Sequence, residues 1–258
     1  MSPAALSVRG LVRHFGGVRA LDGIDFDLQA GSCVALIGPN GAGKSTCFAC
    51  IAGQQAPGAG EILWQGRSIL GLGARDRLAL GLARTFQVAQ VFEALSVRQN
   101  VLLALHAREA SLPAWQALGD RHAAQAQALL AQADLLDQAD VDASRLPYGA
   151  KKRLELALAL AGEPALLLLD EPAAGLAGPE RARLMQWVRR LADGGMTVLY
   201  TEHNMDAVAG IADRVLVLIE GRLAAQGRFE DVVRDPQVQA RYLGRSGLAF
   251  VGGEGGHA

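Results

Sequence analysis

The segment "CVALIGPNGAGKST" contains a glycine-rich loop that constrains the fold more than any other part of the sequence. Residues 38–45 match the pattern G-x-x-x-x-G-K-[ST] in full. The apolar run 33–38 predicts a buried strand, and residues 43–52 predict a helix. Glycines let the backbone wrap a phosphate chain, so that its N–H groups and the amino end of the following helix point at negative charge. A strand, this loop and a helix in succession therefore predict a nucleotide-binding α/β core.

The side chains of this loop each suit one part of a nucleotide. Lys44 is expected to reach the β- and γ-phosphates, Ser45 to hold Mg²⁺, and Thr46 to touch the α-phosphate. The expected ligands are therefore ATP and Mg²⁺. The residues expected to bind nucleotide here are Gly38, Pro39, Asn40, Gly41, Ala42, Gly43, Lys44, Ser45 and Thr46.

Further apolar runs alternate with helical stretches along the chain, which indicates a mainly parallel sheet covered by helices. Buried strands are predicted at 164–172, 196–203 and 213–221. Helices are predicted at 178–195 and 204–212. Pro179 near the start of the first helix and two glycines at its end are the usual helix punctuation.

Two other regions have different patterns. Short alternating runs at 6–8, 24–28 and 61–65 suit an amino-terminal antiparallel β subdomain, and the strand-free region 95–136 suits an inserted α-helical subdomain. We therefore predict one α/β domain of the P-loop NTPase (RecA-like) type. Its parts are expected to be a nucleotide-binding core at 1–86 and 160–222, a helical lobe at 87–159, a C-terminal extension at 223–245 and a flexible tail at 246–258.

Composition narrows the location and the partners. The net charge of −1, from 25 basic and 26 acidic residues, gives little support for a nucleic-acid partner. The first residues lack a basic segment followed by an apolar one, and no apolar run reaches the roughly eighteen residues of a membrane span. We therefore expect a soluble intracellular protein in which Cys33, Cys47 and Cys50 are small buried residues in a reducing compartment.

Three candidate catalytic groups follow predicted strands. The run "LLLLDE" places Asp170 and Glu171 at the end of one strand. Asp170 suits Mg²⁺, directly or through water, and Glu171 can polarise the water that attacks the γ-phosphate. His203 follows the next strand, at the edge where ligands collect in α/β folds, and could contact the γ-phosphate. Each residue alone is commonly structural, but the loop 38–45 supplies the phosphates that they would serve.

Taken in order, the motifs resemble the nucleotide-binding subunit of ABC transporters over nearly the whole chain. The order is the loop 38–45, Gln87 in "ARTFQ", "LPYGA" at 146–150, "LLLLDEP", "AAGLA" at 173–177, and His203. More narrowly, "HFGGVRAL", "DEPAAGL", "TEHNM" and the ending "DPQVQARYLG" resemble one ATPase subunit of branched-chain amino acid importers, the LivG type. The elements "EPAAGL" and "YLG" are the most specific of these.

The resemblance implies a mechanism and a set of partners. Two such subunits, identical or different, dimerise head to tail, and each ATP is clamped between the loop of one subunit and the signature of the other. Closure drives two integral membrane permease subunits, and a periplasmic solute-binding protein acts with them indirectly. The chain would then lie on the cytoplasmic face of the bacterial inner membrane, attached through the permease.

The resemblance also assigns roles to single residues. Phe15 would stack on adenine, and Gln87 would sense Mg²⁺ and the attacking water. Glu171, His203, Gln87 and Lys44 would be the catalytic set. The signature would contact the partner's nucleotide through Leu146, Tyr148 and Gly149. The expected metal ligands are Ser45, Gln87 and Asp170.

The signature stretch "SRLPYGAKKRLE" departs from the family pattern Leu-Ser-Gly-Gly-Gln. Pro147 supplies neither a hydroxyl nor an N–H, and Ala150 supplies no amide side chain. The free N–H groups of a helix that begins near Gly149 still favour an anion. We expect Lys151 and Lys152 to replace part of the lost contact by bringing positive charge near the partner's phosphate.

A second departure is Ala177, where the family usually has Asp or Asn at the dimer seam. Two weakened contacts in one chain suggest asymmetry between the two nucleotide sites of a dimer. We therefore expect this chain to lend a poor clamp to its partner while its own site hydrolyses ATP normally.

Other functions compete with amino acid import. A non-transport ABC ATPase acting on nucleic acid or ribosomes usually carries two ATPase domains or a long coiled-coil insertion, and this chain has neither. A regulatory module that binds ATP without hydrolysing it does not need Glu171 and His203. Lipopolysaccharide export has a similar "YLG" ending, but "EPAAGL" favours the importer. Dipeptide, amide or urea-like solutes stay open.

Overall fold

The structure, a computed structural model, describes residues 4–85, 90–107 and 122–243. The strands within these ranges are β1 (Ala4–Phe15), β2 (Val18–Gln29), β3 (Cys33–Ile37), β4 (Ala59–Trp64), β5 (Arg67–Ser68), β6 (Leu82–Arg84), β7 (Leu166–Leu169), β8 (Thr197–Thr201), β9 (Arg214–Ile219) and β10 (Arg222–Gly227). The α-helices are α1 (Lys44–Ile51), α2 (Ala74–Ala79), α3 (Val97–Ala107), α4 (Ala123–Gln132), α5 (Tyr148–Leu160), α6 (Gly178–Asp193), α7 (Met205–Ala209), α8 (Phe229–Val232) and α9 (Pro236–Val238). A π-helical turn, Gln239–Leu243, follows α9.

The larger sheet has six strands in the order β10-β9-β3-β8-β7-β6. Five of them run parallel, and β10 pairs antiparallel with β9 at one edge. Every residue of β3, β7 and β8 is buried, as expected for parallel strands covered on both faces. The four predicted buried strands and the predicted parallel sheet are confirmed, because the predicted runs contain β3, β7, β8 and β9.

The smaller sheet is antiparallel, with the order β2-β1-β4-β5, as predicted for the amino-terminal subdomain. Its apolar face shares one buried cluster with α1 and with one face of the larger sheet. Leu6 of β1, Phe48 of α1 and Leu168 of β7 are all buried in that cluster. Each such side chain contributes about 1.5–3 kcal/mol on burial, so this core fixes the position of α1 behind the glycine-rich loop.

The predicted helical subdomain is also present. Helices α3, α4 and α5 pack together around buried side chains that include Val101, Leu130 and Leu154. Part of the predicted helical region, including Pro113 and Gly119, lies outside the described residues. The boundaries proposed between core, lobe and extension remain predictions.

Three smaller findings bear on the sequence expectations. Among the described helices, none is long and apolar enough to cross a membrane. Cys33, Cys47 and Cys50 are buried and free, and burial raises the pKa of the Cys33 thiol to about 12. Within the described ranges, no three His, Cys, Asp or Glu side chains cluster as metal ligands would. Cys47 and Cys50 are therefore packed side chains of α1.

Candidate active site

The candidate groups lie at one edge of the larger sheet, where β3, β7 and β8 end side by side. Gly38 follows β3, Asp170 follows β7, and Glu202 and His203 follow β8. Because these neighbouring strands are parallel, their carboxyl ends bring the following loops together. The structure thus groups the glycine-rich loop with Asp170, Glu171 and His203.

The backbone of the loop requires glycine at its first position. Gly38 has a φ of +149°, and a Cβ there would lie 2.0 Å from the carbonyl oxygen of Leu218. The neighbouring strand β9 therefore approaches too closely for any side chain. Helix α1 begins immediately after this loop, and no side chain caps its N–H groups. Those N–H groups are available to an anion.

Lys44 is folded back onto the loop. Its Nζ donates hydrogen bonds to the carbonyl oxygens of Gly38, at 2.7 Å, and of Pro39, at 3.0 Å. Burial lowers the pKa of Lys44, and the charges of Glu171 and Asp170 oppose that shift. The ammonium group is therefore held against the backbone of the loop, in the electrostatic field of both carboxylates.

The other loop residues differ in how far they are exposed. Asn40, Gly41 and Ser45 are exposed, Pro39, Gly43 and Thr46 are half-buried, and Gly38 and Ala42 are buried. The Ser45 hydroxyl is thus open to a ligand, as a metal-binding serine requires.

Asp170 has a partner that the sequence interpretation missed. Its Oδ2 accepts a hydrogen bond from Arg84 Nη2 at 2.8 Å, and its Oδ1 accepts one from the Thr201 hydroxyl at 3.0 Å. Arg84 ends β6 and also donates to Gln54, just after α1. Arg84 thus joins three parts of the site. Its position three residues before Gln87 was the only signal in the sequence.

Glu171 and His203 form a pair, with 2.8 Å between Glu171 Oε1 and His203 Nε2. Glu171 has a φ of +48°, an uncommon conformation for a side-chain-bearing residue. Its backbone N–H donates to the Thr201 hydroxyl at 2.9 Å, so Thr201 holds both carboxylate-bearing residues. Non-glycine residues with positive φ cluster at functional sites, where the surroundings hold them in place.

The C-terminal extension also reaches this edge. Burial raises the pKa of the Tyr242 hydroxyl, and the nearby N–H of Gly38 opposes that shift. Tyr242 belongs to the π-helical turn after α9. Tyr242, recognised in the sequence only as part of a family motif, therefore lies near the start of the glycine-rich loop.

The signature residues lie elsewhere, beside the segment that follows Glu171. Leu146 is buried, and the Tyr148 ring lies over Gly175. A Cβ on Gly149 would lie 2.8 Å from Glu180 Oε1, so a carboxylate covers the start of α5. Pro147 at the N-cap makes no side-chain cap.

The expectation for the two lysines is wrong in part. Lys152 is 2% exposed and pairs with Glu155 at 3.3 Å, so it faces the interior and not a partner's phosphate. Lys151 is half-buried and pairs with Glu93 at 2.6 Å. Helical geometry explains the difference, because adjacent residues of one turn point to different faces.

Two predicted site residues remain. Phe15 is 42% exposed at the end of β1, and the Arg13 guanidinium lies 4.7 Å from the centre of its ring. The Arg13 guanidinium thus lies over the Phe15 ring, and the ring is still exposed enough for a flat ligand to stack on it. Gln87 lies outside the described residues.

Comparisons with known proteins agree with this geometry. A family model described as ABC transporter matches residues 21–174. The high-affinity branched-chain amino acid transport ATP-binding protein LivG of Salmonella typhimurium is 36% identical, and the match covers 95% of this chain and 100% of that protein. BraF of Pseudomonas aeruginosa, with the same description, is 34% identical over the same shares.

A solved structure gives the same answer for the fold. The ADP conformation of an ATP-binding cassette of an ABC transporter superimposes with a TM-score of 0.84 at 28% identity. The match covers 94% of this chain and 100% of that cassette. Sequence, fold and the grouping of the phosphate loop with Asp170 and Glu171 coincide, and the chain belongs to the ABC transporter family as an ATPase subunit.

Proposed function

We propose that this chain is the ATP-hydrolysing subunit of an importer that takes up branched-chain amino acids or similar small polar solutes. The descriptions of LivG and BraF, which align over 95% of the chain, support the solute class. The observation that carries the hydrolytic role is the Glu171–His203 pair beside the glycine-rich loop.

Binding of ATP begins at the glycine-rich loop. The N–H groups of the loop and of the first turn of α1 bind the phosphates. Lys44 exchanges its two carbonyl partners for oxygens of the β- and γ-phosphates, and Thr46 contacts the α-phosphate. Phe15 offers its exposed ring to the adenine.

Hydrolysis uses the residues at the ends of β7 and β8. Glu171 accepts a proton from the attacking water, whose oxygen bonds to the γ-phosphorus as the bond to ADP breaks. His203 holds Glu171 in place and contacts the γ-phosphate, and Gln87 orients the water. Lys44 balances charge that develops on the leaving ADP.

Magnesium fits the oxygen donors at this edge. Ser45 is exposed, and Asp170 keeps lone pairs on both oxygens beside its bonds to Arg84 and Thr201. Hydroxyl, carboxylate and amide oxygens are the ligands that Mg²⁺ takes, so Ser45, Asp170 and Gln87 would hold it with water. When bound, Mg²⁺ neutralises phosphate charge.

The signature implies a partner, because in this family it binds the nucleotide of a second subunit and not that of its own chain. Tyr148 and Gly149 contact the nucleotide of a second ABC ATPase subunit, identical or different, in a head-to-tail dimer, and the buried Leu146 packs beneath them. The dimer works with two integral membrane permease subunits at the cytoplasmic face of the bacterial inner membrane, and with a periplasmic solute-binding protein indirectly. A net charge of −1 gives little support for a nucleic-acid partner.

Uptake in the host organism tests this assignment. Deletion of the gene should abolish high-affinity uptake of radiolabelled leucine, isoleucine and valine. Expression of the wild-type chain should restore uptake, whereas the Glu171→Gln variant should not. Intact leucine uptake with loss of urea uptake, or with lipopolysaccharide retained in the inner membrane, would overturn the solute class. Restoration by Glu171→Gln would overturn the hydrolytic role.

A further inference from the structure

Glu202 is a buried carboxylate that the hydrolysis scheme does not use. It follows β8 directly, and only 4% of its surface is exposed. Side chains with a negative charge are seldom buried so completely unless they are paired. Among the described residues, no Lys, Arg or His lies within ion-pair distance of it, and its hydrogen-bond partners are backbone N–H groups.

Three N–H groups donate to this carboxylate. Oε1 accepts from Ala173 at 3.3 Å, while Oε2 accepts from His203 at 3.1 Å and from Asn204 at 3.4 Å. Ala173 lies two residues after Glu171, in the loop that follows β7. His203 and Asn204 open the loop that follows β8. One side chain therefore ties together the two loops that carry the Glu171–His203 pair.

The contact is not needed to start the next helix. Helix α7 has its own cap, because Asn204 Oδ1 accepts a hydrogen bond from the N–H of Ala207 at 2.9 Å. Burial raises the pKa of Glu202, and the three N–H groups oppose that shift. The charge of Arg181 also opposes the shift, so burial and the surrounding groups act on this carboxylate in opposite directions, as is common where a group serves a site.

We propose that Glu202 is a positioning residue that holds the His203 ring against Glu171. Both of its oxygens must accept, because N–H groups face both of them, and only a carboxylate offers acceptors at both ends. Glu202 does not touch the nucleotide, and it acts by keeping the two loops at a fixed separation. The catalytic consequence rests on the hydrolytic role proposed above, whereas the geometric claim does not.

The test replaces Glu202 by Gln in the full chain and compares it with Glu220→Gln. Glu220 is an exposed residue directly after β9, which β3 separates from β8, and it pairs with Arg241 at the surface. An amide at position 202 keeps the shape but turns a donor toward one of the N–H groups. We expect the turnover number to fall about tenfold, or about 1.4 kcal/mol, while KM for ATP changes less than about twofold. Glu220→Gln should change neither.

A second readout is independent of hydrolysis. The ring nitrogen resonances of His203, assigned with a His203→Gln variant, report its hydrogen bond to Glu171. In Glu202→Gln they should move to the positions seen in Glu171→Gln, and they should stay unchanged in Glu220→Gln. Unmoved resonances in a folded Glu202→Gln chain would overturn the proposal, as would parallel changes in turnover and KM.

The controls separate folding and function. If Glu202→Gln does not fold, Glu202→Asp keeps both acceptors on a shorter stem and should shift the same resonances. If the wild-type chain hydrolyses no ATP, the hydrolytic assignment fails, but the His203 resonances still decide whether Glu202 positions the ring.

Discussion

The edge of the larger sheet and the signature segment differ in how their polar groups are satisfied. At the sheet edge, Lys44 bonds two carbonyl oxygens, Asp170 pairs with Arg84, and Glu171 pairs with His203. Each predicted catalytic side chain described there has a partner from this chain. The described side chains at this edge are therefore held by contacts within one chain.

The signature segment offers the opposite arrangement. Pro147 is the N-cap residue of helix α5 and provides no side-chain cap, and the carboxylate of Glu180 lies against Gly149. A negative group thus covers the helix end that should meet a partner's phosphate. The two regions therefore differ: the side chains at the sheet edge are held by contacts within the chain, whereas a carboxylate covers the signature, and we expect it to move aside before a partner's phosphate can bind.

The largest expected effect comes from Glu171→Gln. Loss of a general base lowers turnover by about 10²–10⁴-fold, and ATP binding should persist because Lys44 and the loop are untouched. Steady-state phosphate release and nucleotide binding are the two measurements. Glu61→Gln, an exposed substitution on β4, serves as control. A turnover number above one tenth of the wild-type value would show that Glu171 is not the general base.

Lys152→Glu should cause the next largest change. The substitution places a second carboxylate beside Glu155 in a pair whose side chains are 1% and 8% exposed. Breaking a buried pair in this way should lower the free energy of unfolding by about 3–5 kcal/mol. Urea titration followed by circular dichroism measures it.

The matched control is Lys151→Glu, because its partner Glu93 is 63% exposed. An ion pair of this kind contributes about 0–1 kcal/mol. Equal losses of stability for the two variants would contradict the assignment of Lys152 to the interior and of Lys151 to the surface.

The sequence was enough to locate both the sheet edge and the signature segment, but the contacts within them were predicted less well. The order of the strands and the loop 38–45 follow from patterns of adjacent residues, because burial on both faces demands continuous apolar runs. Asp170, Glu171 and His203 could be placed together because neighbouring parallel strands end at one edge.

Contacts between distant segments could not be predicted. Arg84 meets Asp170 across 86 positions of sequence, and Tyr242 meets Gly38 from the far end of the chain. No local pattern encodes such pairs, since they depend on which strands become neighbours. The orientation of Lys152 depends likewise on which face of α5 packs against the core. The apolar and polar residues of α5 are only weakly separated into two faces, so the sequence does not predict which face is buried.

Glu180→Gln tests whether the signature is covered by its own chain. In a Glu171→Gln background, removal of this charge should lower the ATP concentration for half-maximal dimerisation by about three- to tenfold, because a like charge near a phosphate disfavours binding. Light scattering across an ATP series measures it. Asp193→Asn, at the other end of α6, is the control. An unchanged midpoint would mean that the carboxylate moves aside without cost.

The smallest expected effect comes from Ala177→Ser. Ala177 is the N-cap of α6, with φ −65° and ψ 157°, and it provides no side-chain hydrogen bond. A serine there, three residues before Glu180, completes the capping-box pattern and should stabilise the fold by about 1 kcal/mol. In that box the Glu180 carboxylate turns back to the N-cap N–H and leaves Gly149. Urea titration should therefore show a gain, and dimerisation at low ATP should improve as in Glu180→Gln. A gain in stability without easier dimerisation would contradict the proposed link between the capping of α6 by Glu180 and its position over Gly149.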